Sequence, residues 1–93
     1  MKNSNSKITL NPNVVFREVD GEGLLMEPTS RALHIINDSA LSFWKIMKNE
    51  MIVETLIEAA LEVYDVERGQ LEADVSVFLD RMVELHLIKI SVE

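Results

Sequence analysis

Few side chains in this 93-residue chain have the types and spacing that catalysis or metal binding requires. The chain has no cysteine, and its two histidines, His34 and His86, fall on different predicted elements without acidic residues at ligand spacing. Covalent or metal-assisted catalysis needs a nucleophile with its base, or several ligands held together. The sequence shows no such set. It therefore predicts a protein that is not an enzyme and that holds no metal or cofactor.

Two further patterns resemble functional motifs but indicate structure. Glu54, Glu58 and Glu62 repeat every four positions, which places them on one face of a predicted helix, as on a solvated surface. Gly21 and Gly23 belong to the segment DGEG, which is typical of a tight hairpin turn rather than of a phosphate-binding loop.

The net charge of −7 lies entirely in the second half of the chain. Residues 51–93 contain three Lys or Arg against ten Asp or Glu, whereas residues 1–50 contain six of each. An acidic surface keeps a small protein soluble, repels phosphate and attracts basic partners. The last predicted helix would meet DNA with four carboxylates and a single arginine, Arg81. The sequence therefore argues against nucleic-acid binding.

Length and composition favour a single domain. The chain is 47% hydrophobic and 27% charged, as in globular proteins, and its apolar runs are too short to span a membrane. The N-terminal segment MKNSNSK is not followed by the apolar stretch of a signal peptide. We expect a cytoplasmic protein without membrane contact, with a flexible segment at residues 1–10 and one domain at residues 11–93.

Three strands are predicted in the first part of that domain. Residues 14–19 are rich in β-branched and aromatic side chains, and the DGEG turn leads to a return strand at residues 24–27. Pro28 ends this strand, because proline has no N–H to donate to a ladder. Residues 32–36 are apolar and form the third strand.

Three helices follow. The first begins at one of the capping residues Asn37, Asp38 or Ser39, and the others are predicted at residues 51–64 and 71–86 from their apolar spacing. Trp44 lies on the apolar face of the first helix and is expected in the core. The order of elements predicts an α+β fold, with an N-terminal three-stranded antiparallel sheet followed by a three-helix bundle, similar to a winged helix.

The third strand raises the question of what pairs with its second edge. The preceding hairpin covers one edge, and the chain offers two solutions for the other. Residues 88–92 can close the edge as a final strand, or an extended peptide can add to it from outside. The sequence leaves both open.

The last helix has a wider apolar face than packing alone requires. On a helical wheel, the core seam consists of Leu71, Val75, Phe78, Met82 and Leu85. Leu79 and Val83 extend this seam to one side. We expect either a peptide or another part of the chain to cover them.

The chain resembles the family of pyrroloquinoline quinone biosynthesis protein D, PqqD, over residues 11–88. The resemblance rests on the segments NPNVVFREVDGEGLLMEP, HIINDSALSFWKIM and VYDVERGQLEADVSVFLDRMVELHLI. They contain the hairpin, the pair Ile36–Asn37 that ends the third strand, an aromatic residue in the first helix, and a last helix of the pattern DVxxFLxxMxxxxLI.

This resemblance implies a recognition element, or peptide chaperone, for ribosomally made and post-translationally modified peptides in natural product biosynthesis. Such domains bind the leader of a precursor peptide as an added strand and present it to a modifying enzyme. The enzyme is often a radical S-adenosylmethionine enzyme, and in lasso-peptide relatives the partner is a leader peptidase. Carried over by position, the leader would contact the third strand and the last helix at Ala32, Leu33, His34, Ile35, Ile36, Leu79 and Val83. The alternative is a winged-helix-like dimerisation or regulatory module, and a homodimer stays open.

Overall fold

A computed structural model describes residues 5–91 of the chain. These residues form six strands and three helices. In chain order the elements are β1 (Lys7–Leu10), β2 (Val15–Val19), β3 (Glu22–Glu27), β4 (Ala32–Ile36), α1 (Asp38–Ile46), β5 (Glu50–Ile52), α2 (Val53–Val63), α3 (Arg68–Glu84) and β6 (Ile88–Ser91).

Strands β2, β3 and β4 form an antiparallel sheet in that order. The β2–β3 connection consists of Asp20 and Gly21, whose φ angles of 52° and 81° are both positive. Two consecutive positive φ angles define the type I′ turn, whose twist matches that of the flanking strands. The closing pair is Val19 opposite Glu22, and the register continues without a bulge to Val15 opposite Met26.

A buried carboxylate organises the turn before β4. Glu27 is only 6% exposed, and its Oε2 accepts hydrogen bonds from the Ser30 N–H at 2.7 Å and the Ser30 hydroxyl at 2.9 Å. Its Oε1 accepts from the Thr29 N–H at 3.1 Å. Because hydrogen bonds from Ser30 favour the charged form over the neutral one, the pKa of Glu27 is lowered to about 2. The carboxylate thus holds the loop that delivers the chain to β4.

Helix α1 begins directly after β4 because Asn37 caps it. The Asn37 side chain accepts a hydrogen bond from the Ala40 N–H at 3.0 Å, which satisfies one of the free donors of the first turn. The helix packs on the inner face of the sheet, where Trp44 lies beside Phe16 with ring centroids 6.3 Å apart and planes inclined by 38°. Trp44 is 8% exposed, which confirms its predicted place in the core.

Helix α3 ends in a Schellman motif. The Leu87 N–H donates to the Met82 carbonyl and the His86 N–H donates to the Val83 carbonyl, both at 3.0 Å. His86 has a φ of 63°, the left-handed conformation that this motif requires at its turning residue. The motif redirects the chain from α3 into β6.

A second antiparallel sheet has the strand order β5–β1–β6. The sequence predicts a flexible segment at residues 1–10, whereas Lys7–Leu10 form the central strand of this sheet and Ile8 is completely buried. The domain therefore begins ahead of the predicted boundary at residue 11. Residues 1–4 and 92–93 lie outside the described residues.

The predicted α+β fold, with an antiparallel sheet followed by three helices, is confirmed. The core lies between the two sheets and the helices and is built from one apolar cluster to which every helix contributes. The second sheet was not predicted beyond the final strand. Since β6 pairs with β1, this final strand does not close the edge of β4.

Candidate functional site

The outer edge of β4 has no strand partner among residues 5–91. The hydrogen-bond pattern tells which residues face that edge. The β-turn joins the Val19 carbonyl to the Glu22 N–H, so the backbone N–H and C=O groups of Glu22 point to β2. The backbone groups of successive β3 residues then point alternately to β2 and to β4. In this alternation Leu25 points to β4 and pairs with His34.

It follows that the N–H and C=O groups of Leu33 and Ile35 point away from β3, because they lie in the non-hydrogen-bonded pairs of the ladder. These two residues offer two donors and two acceptors to an additional strand. An unpaired strand edge is a template for a further chain. The described structure thus leaves open the edge that the sequence analysis singled out.

The side chains of β4 differ between its two faces. Leu33 and Ile35 are 58% and 64% exposed on the outer face of the sheet. Ala32 and His34 are half-buried on the inner face, and Ile36 is buried there against Gly23. The outer face also carries exposed Val15, Val19 and Met26, so several exposed apolar side chains lie on the face opposite to the one on which α1 packs.

A cleft of about 490 Å³ begins at Asn37, the residue that follows β4. It runs between the first turns of α1, the end of α2 and one side of α3. Three aromatic rings form its apolar wall. The ring centroid of Phe43 lies 5.7 Å from that of Tyr64 and 5.4 Å from that of Phe78. The α3 residues that line it are Leu71, Asp74, Val77, Phe78 and Arg81.

The two α3 residues that were expected to contact a peptide, Leu79 and Val83, lie in different environments. Leu79 is 1% exposed and belongs to the core, whereas Val83 is 40% exposed. Neither lines the cleft. Their role in peptide binding stays a prediction, and the structure instead brings Val77 to the cleft beside Phe78.

Val77 is the residue that the sequence reasoning missed. It is 70% exposed, and the helical wheel places it among polar positions, apart from the apolar seam. A helical wheel identifies the residues that pack in the core, so an isolated valine on the polar side of the helix is left out. An isolated apolar residue among exposed polar positions was the signal that could have singled out Val77.

The candidates for chemistry remain apart. His34 lies on β4 and His86 at the end of α3, and the residues that the structure describes contain no cluster of three or more side chains suited to a metal ion. Glu54 pairs with Arg68, while Glu58 and Glu62 are exposed, as expected for a solvated helix face. No helix within residues 5–91 has the length and apolarity needed to cross a membrane.

Arg68 joins α2 to α3 at the entrance to the last helix. Its guanidinium contacts Glu54 and Glu72, the latter at 2.8 Å, and its hydrogen bond to Glu54 is the larger reason that the pKa of Arg68 is raised. These ion pairs are partly exposed, so they contribute little to stability. Their effect is to engage Arg68 away from the cleft.

A solved structure titled "TbiB1 in Complex with the TbiA(beta) Leader Peptide" resembles this fold with a TM-score of 0.77. The two sequences are 18% identical, and the match covers 91% of this chain and 99% of the other. No curated protein matches the sequence. The sequence profile of the family described as coenzyme PQQ synthesis protein D (PqqD) matches residues 22–88, from the start of β3 to the start of β6. This chain therefore belongs to the PqqD family.

Proposed function

We propose that this protein is a non-catalytic adaptor that binds the leader of a ribosomally made precursor peptide by strand addition to β4. The observation that carries the proposal is the open edge of β4 ending at an apolar cleft. The PqqD profile and the similarity to a protein solved with a leader peptide support it.

The energetics require the edge and the cleft to act together. Four main-chain hydrogen bonds contribute about 2–6 kcal/mol at roughly 0.5–1.5 kcal/mol each. Ordering five peptide residues costs about 5–10 kcal/mol in backbone entropy. The edge alone therefore does not hold a peptide. Burying an apolar peptide side chain contributes about 1.5–3 kcal/mol, so two or three such side chains offset the difference.

In this proposal the edge of β4 and the cleft have different tasks. The side chains of the added strand alternate, so every second one lies on the inner side of β4, the side on which α1 packs. The edge supplies register through Leu33 and Ile35, and the cleft supplies selectivity through Phe43, Val77 and Phe78. This division of tasks is that of peptide recognition by strand addition in general.

The adaptor would present the bound leader to a modifying enzyme. In our proposal the partner is a radical S-adenosylmethionine enzyme or a leader peptidase in the cytoplasm, and the adaptor itself uses no cofactor. The acidic net charge of −7 favours a basic face on that partner.

The second candidate function is dimerisation without leader binding. The exposed apolar face of the sheet, with Val15, Met26, Leu33 and Ile35, favours it, since large apolar patches mark interaction sites. A dimer through that face would leave the edge of β4 unused. Sedimentation velocity over a range of protein concentrations measures the dimer directly.

Proline substitution in β4 tests strand addition. Peptides for the assay are selected from a displayed library of random twelve-residue peptides by their binding to the parent protein. Ile35→Pro removes an outward N–H, which a strand edge tolerates, so the variant should fold and lose at least tenfold in affinity for these peptides. His34→Pro is the matched control, because it removes a donor from the β3 ladder and should destabilise the fold. Unchanged peptide affinity of folded Ile35→Pro would refute strand addition at this edge.

A further inference from the structure

The cleft carries one anion and one cation on its α3 side. Asp74 and Arg81 line it seven positions apart, with Val77 between them, and no other Lys or Arg in the described chain lines it. Seven residues correspond to about 10.5 Å along a helix and return to nearly the same face. The cleft therefore has a negative and a positive end on either side of an apolar centre.

Both charges are available to a ligand. The Arg81 side chain is 61% exposed, and its contact with Glu84 is a long one of 3.8 Å. Asp74 accepts a hydrogen bond from the neutral Gln70 amide at 2.9 Å, which leaves its charge uncompensated by that contact. In contrast to Arg68, which is held by two carboxylates, Arg81 is free to turn toward a bound peptide.

An extended peptide has a matching repeat. Residues on one face of a strand lie about 6.7 Å apart, so the first and third of three such residues are about 13 Å apart. This exceeds the spacing of Asp74 and Arg81 by less than about 3 Å, which long charged side chains span easily. The middle residue of the three then lies opposite Val77 and Phe78.

We propose that Asp74 and Arg81 determine which leader binds, through the order of the charges along it. This inference rests on the proposed function. The preferred leader has an apolar residue on its inner face, a Lys or Arg two positions to one side, and an Asp or Glu two positions to the other. The basic residue lies at Asp74 and the acidic residue at Arg81, so for a given direction of the added strand along β4 only one order of the two charges fits.

The reversed order places like charges together at both ends of the cleft. Exposed ion pairs are individually weak, so we expect about a tenfold difference in affinity between the favoured and reversed orders. The difference should shrink as salt is raised, because exposed charges are screened over about 10 Å at 0.1 M.

In the experiment, the displayed library of random twelve-residue peptides is selected for binding to each of three versions of the full chain. They are the parent, the double variant Asp74→Lys with Arg81→Glu, and a control double variant, Glu58→Arg with Lys48→Glu, whose exposed residues lie outside the cleft. Both double variants exchange charges without changing their sum, and circular dichroism checks their folding. Synthetic peptides of each enriched class are then titrated by fluorescence anisotropy.

We expect the parent and the control to enrich one order of charges around an apolar residue, and the cleft variant to enrich the opposite order. Two results overturn this inference and leave the proposed function intact. In the first, the selected peptides depend on the outward N–H of Ile35 and yet show no preferred order of charges; in the second, the cleft variant selects the same order as the parent. Failure of the parent to enrich any peptide, or enrichment of peptides that bind Ile35→Pro equally well, overturns the proposed function and this inference with it.

Discussion

The ring of Phe43 on α1 contacts the ring of Phe78 on α3, with centroids 5.4 Å apart and planes inclined by 59°. Tilted aromatic pairs at this distance are favourable beyond the area that they bury. Both rings also line the cleft, so the same contact closes the core and forms part of the cleft wall. Substitutions at different residues of α3 therefore test the core and the proposed binding surface separately.

Phe78 should act on stability and Val77 on binding. Phe78 is 6% exposed, so Phe78→Ala should lower the free energy of unfolding by about 3–5 kcal/mol. Val77 is 70% exposed, so Val77→Ser should change stability by less than about 0.5 kcal/mol while weakening binding of display-selected peptides several-fold. Urea unfolding and anisotropy titration measure the two effects.

Val83→Ser is the matched comparison for that pair. The sequence analysis assigned Val83 to the peptide surface, whereas the cleft is lined by Val77. Weakened binding in Val83→Ser together with normal binding in Val77→Ser would show that the peptide follows the other side of α3.

Gly23 should not tolerate a side chain. A Cβ atom there would lie 2.7 Å from Ile36 Cγ1 and 3.1 Å from Leu41 Cδ1, where α1 packs on the sheet. Gly23→Ala should therefore destabilise the domain by about 1–3 kcal/mol. Gly69→Ala is the control, because a Cβ there has no neighbour within 4 Å and the residue lies in the first turn of α3. It should leave stability unchanged or raise it by up to about 1 kcal/mol. Equal stability of the two variants by thermal unfolding would contradict this packing.

Much of this fold follows from local sequence signals. The bounds of β4 agree with the prediction because a turn precedes Ala32 and a helix cap follows Ile36, so both ends are marked by neighbouring residues. The second sheet carries no such marks. Its strands are three or four residues long and come from three distant parts of the chain. Glu50–Ile52 runs directly into α2, and the helix predicted at residues 51–64 includes its last two residues. Short strands that depend on distant partners are decided by tertiary packing.

Glu27 should make stability depend on pH in the acid range. Its folded pKa of about 2 lies below the ordinary value of 4.5, so its contribution is fully present above about pH 5 and is lost as the pH falls toward 2. Glu27→Gln should be less stable than the parent at pH 7, and the difference should narrow by pH 2.5. Urea unfolding at both values measures it, with Glu62→Gln as a control for the lost surface charge. A difference that stays constant between pH 7 and 2.5 would show that Glu27 does not act as a charged acceptor in the turn.

The protein should not bind duplex DNA. In α3 the carboxylates of Glu72, Asp74, Asp80 and Glu84 outnumber two arginines, and Arg68 is already paired with Glu54 and Glu72. A helix that reads DNA needs cations for phosphates and base edges. An anisotropy assay with labelled duplexes at about 0.15 M salt, where screening is near physiological, should show no saturable binding. Sequence-dependent binding there would contradict an adaptor that recognises peptides alone.

Amide hydrogen exchange at three consecutive residues of β4 tests the central claim most directly. The N–H of His34 points into the sheet, while those of Leu33 and Ile35 point to the open edge. In the free protein, NMR should therefore find slow exchange at His34 and fast exchange at Leu33 and Ile35. A saturating display-selected peptide should slow exchange at Leu33 and Ile35 by at least tenfold and leave His34 slow. Fast exchange at Leu33 and Ile35 in the presence of saturating peptide would show that the peptide binds elsewhere and would contradict strand addition to β4.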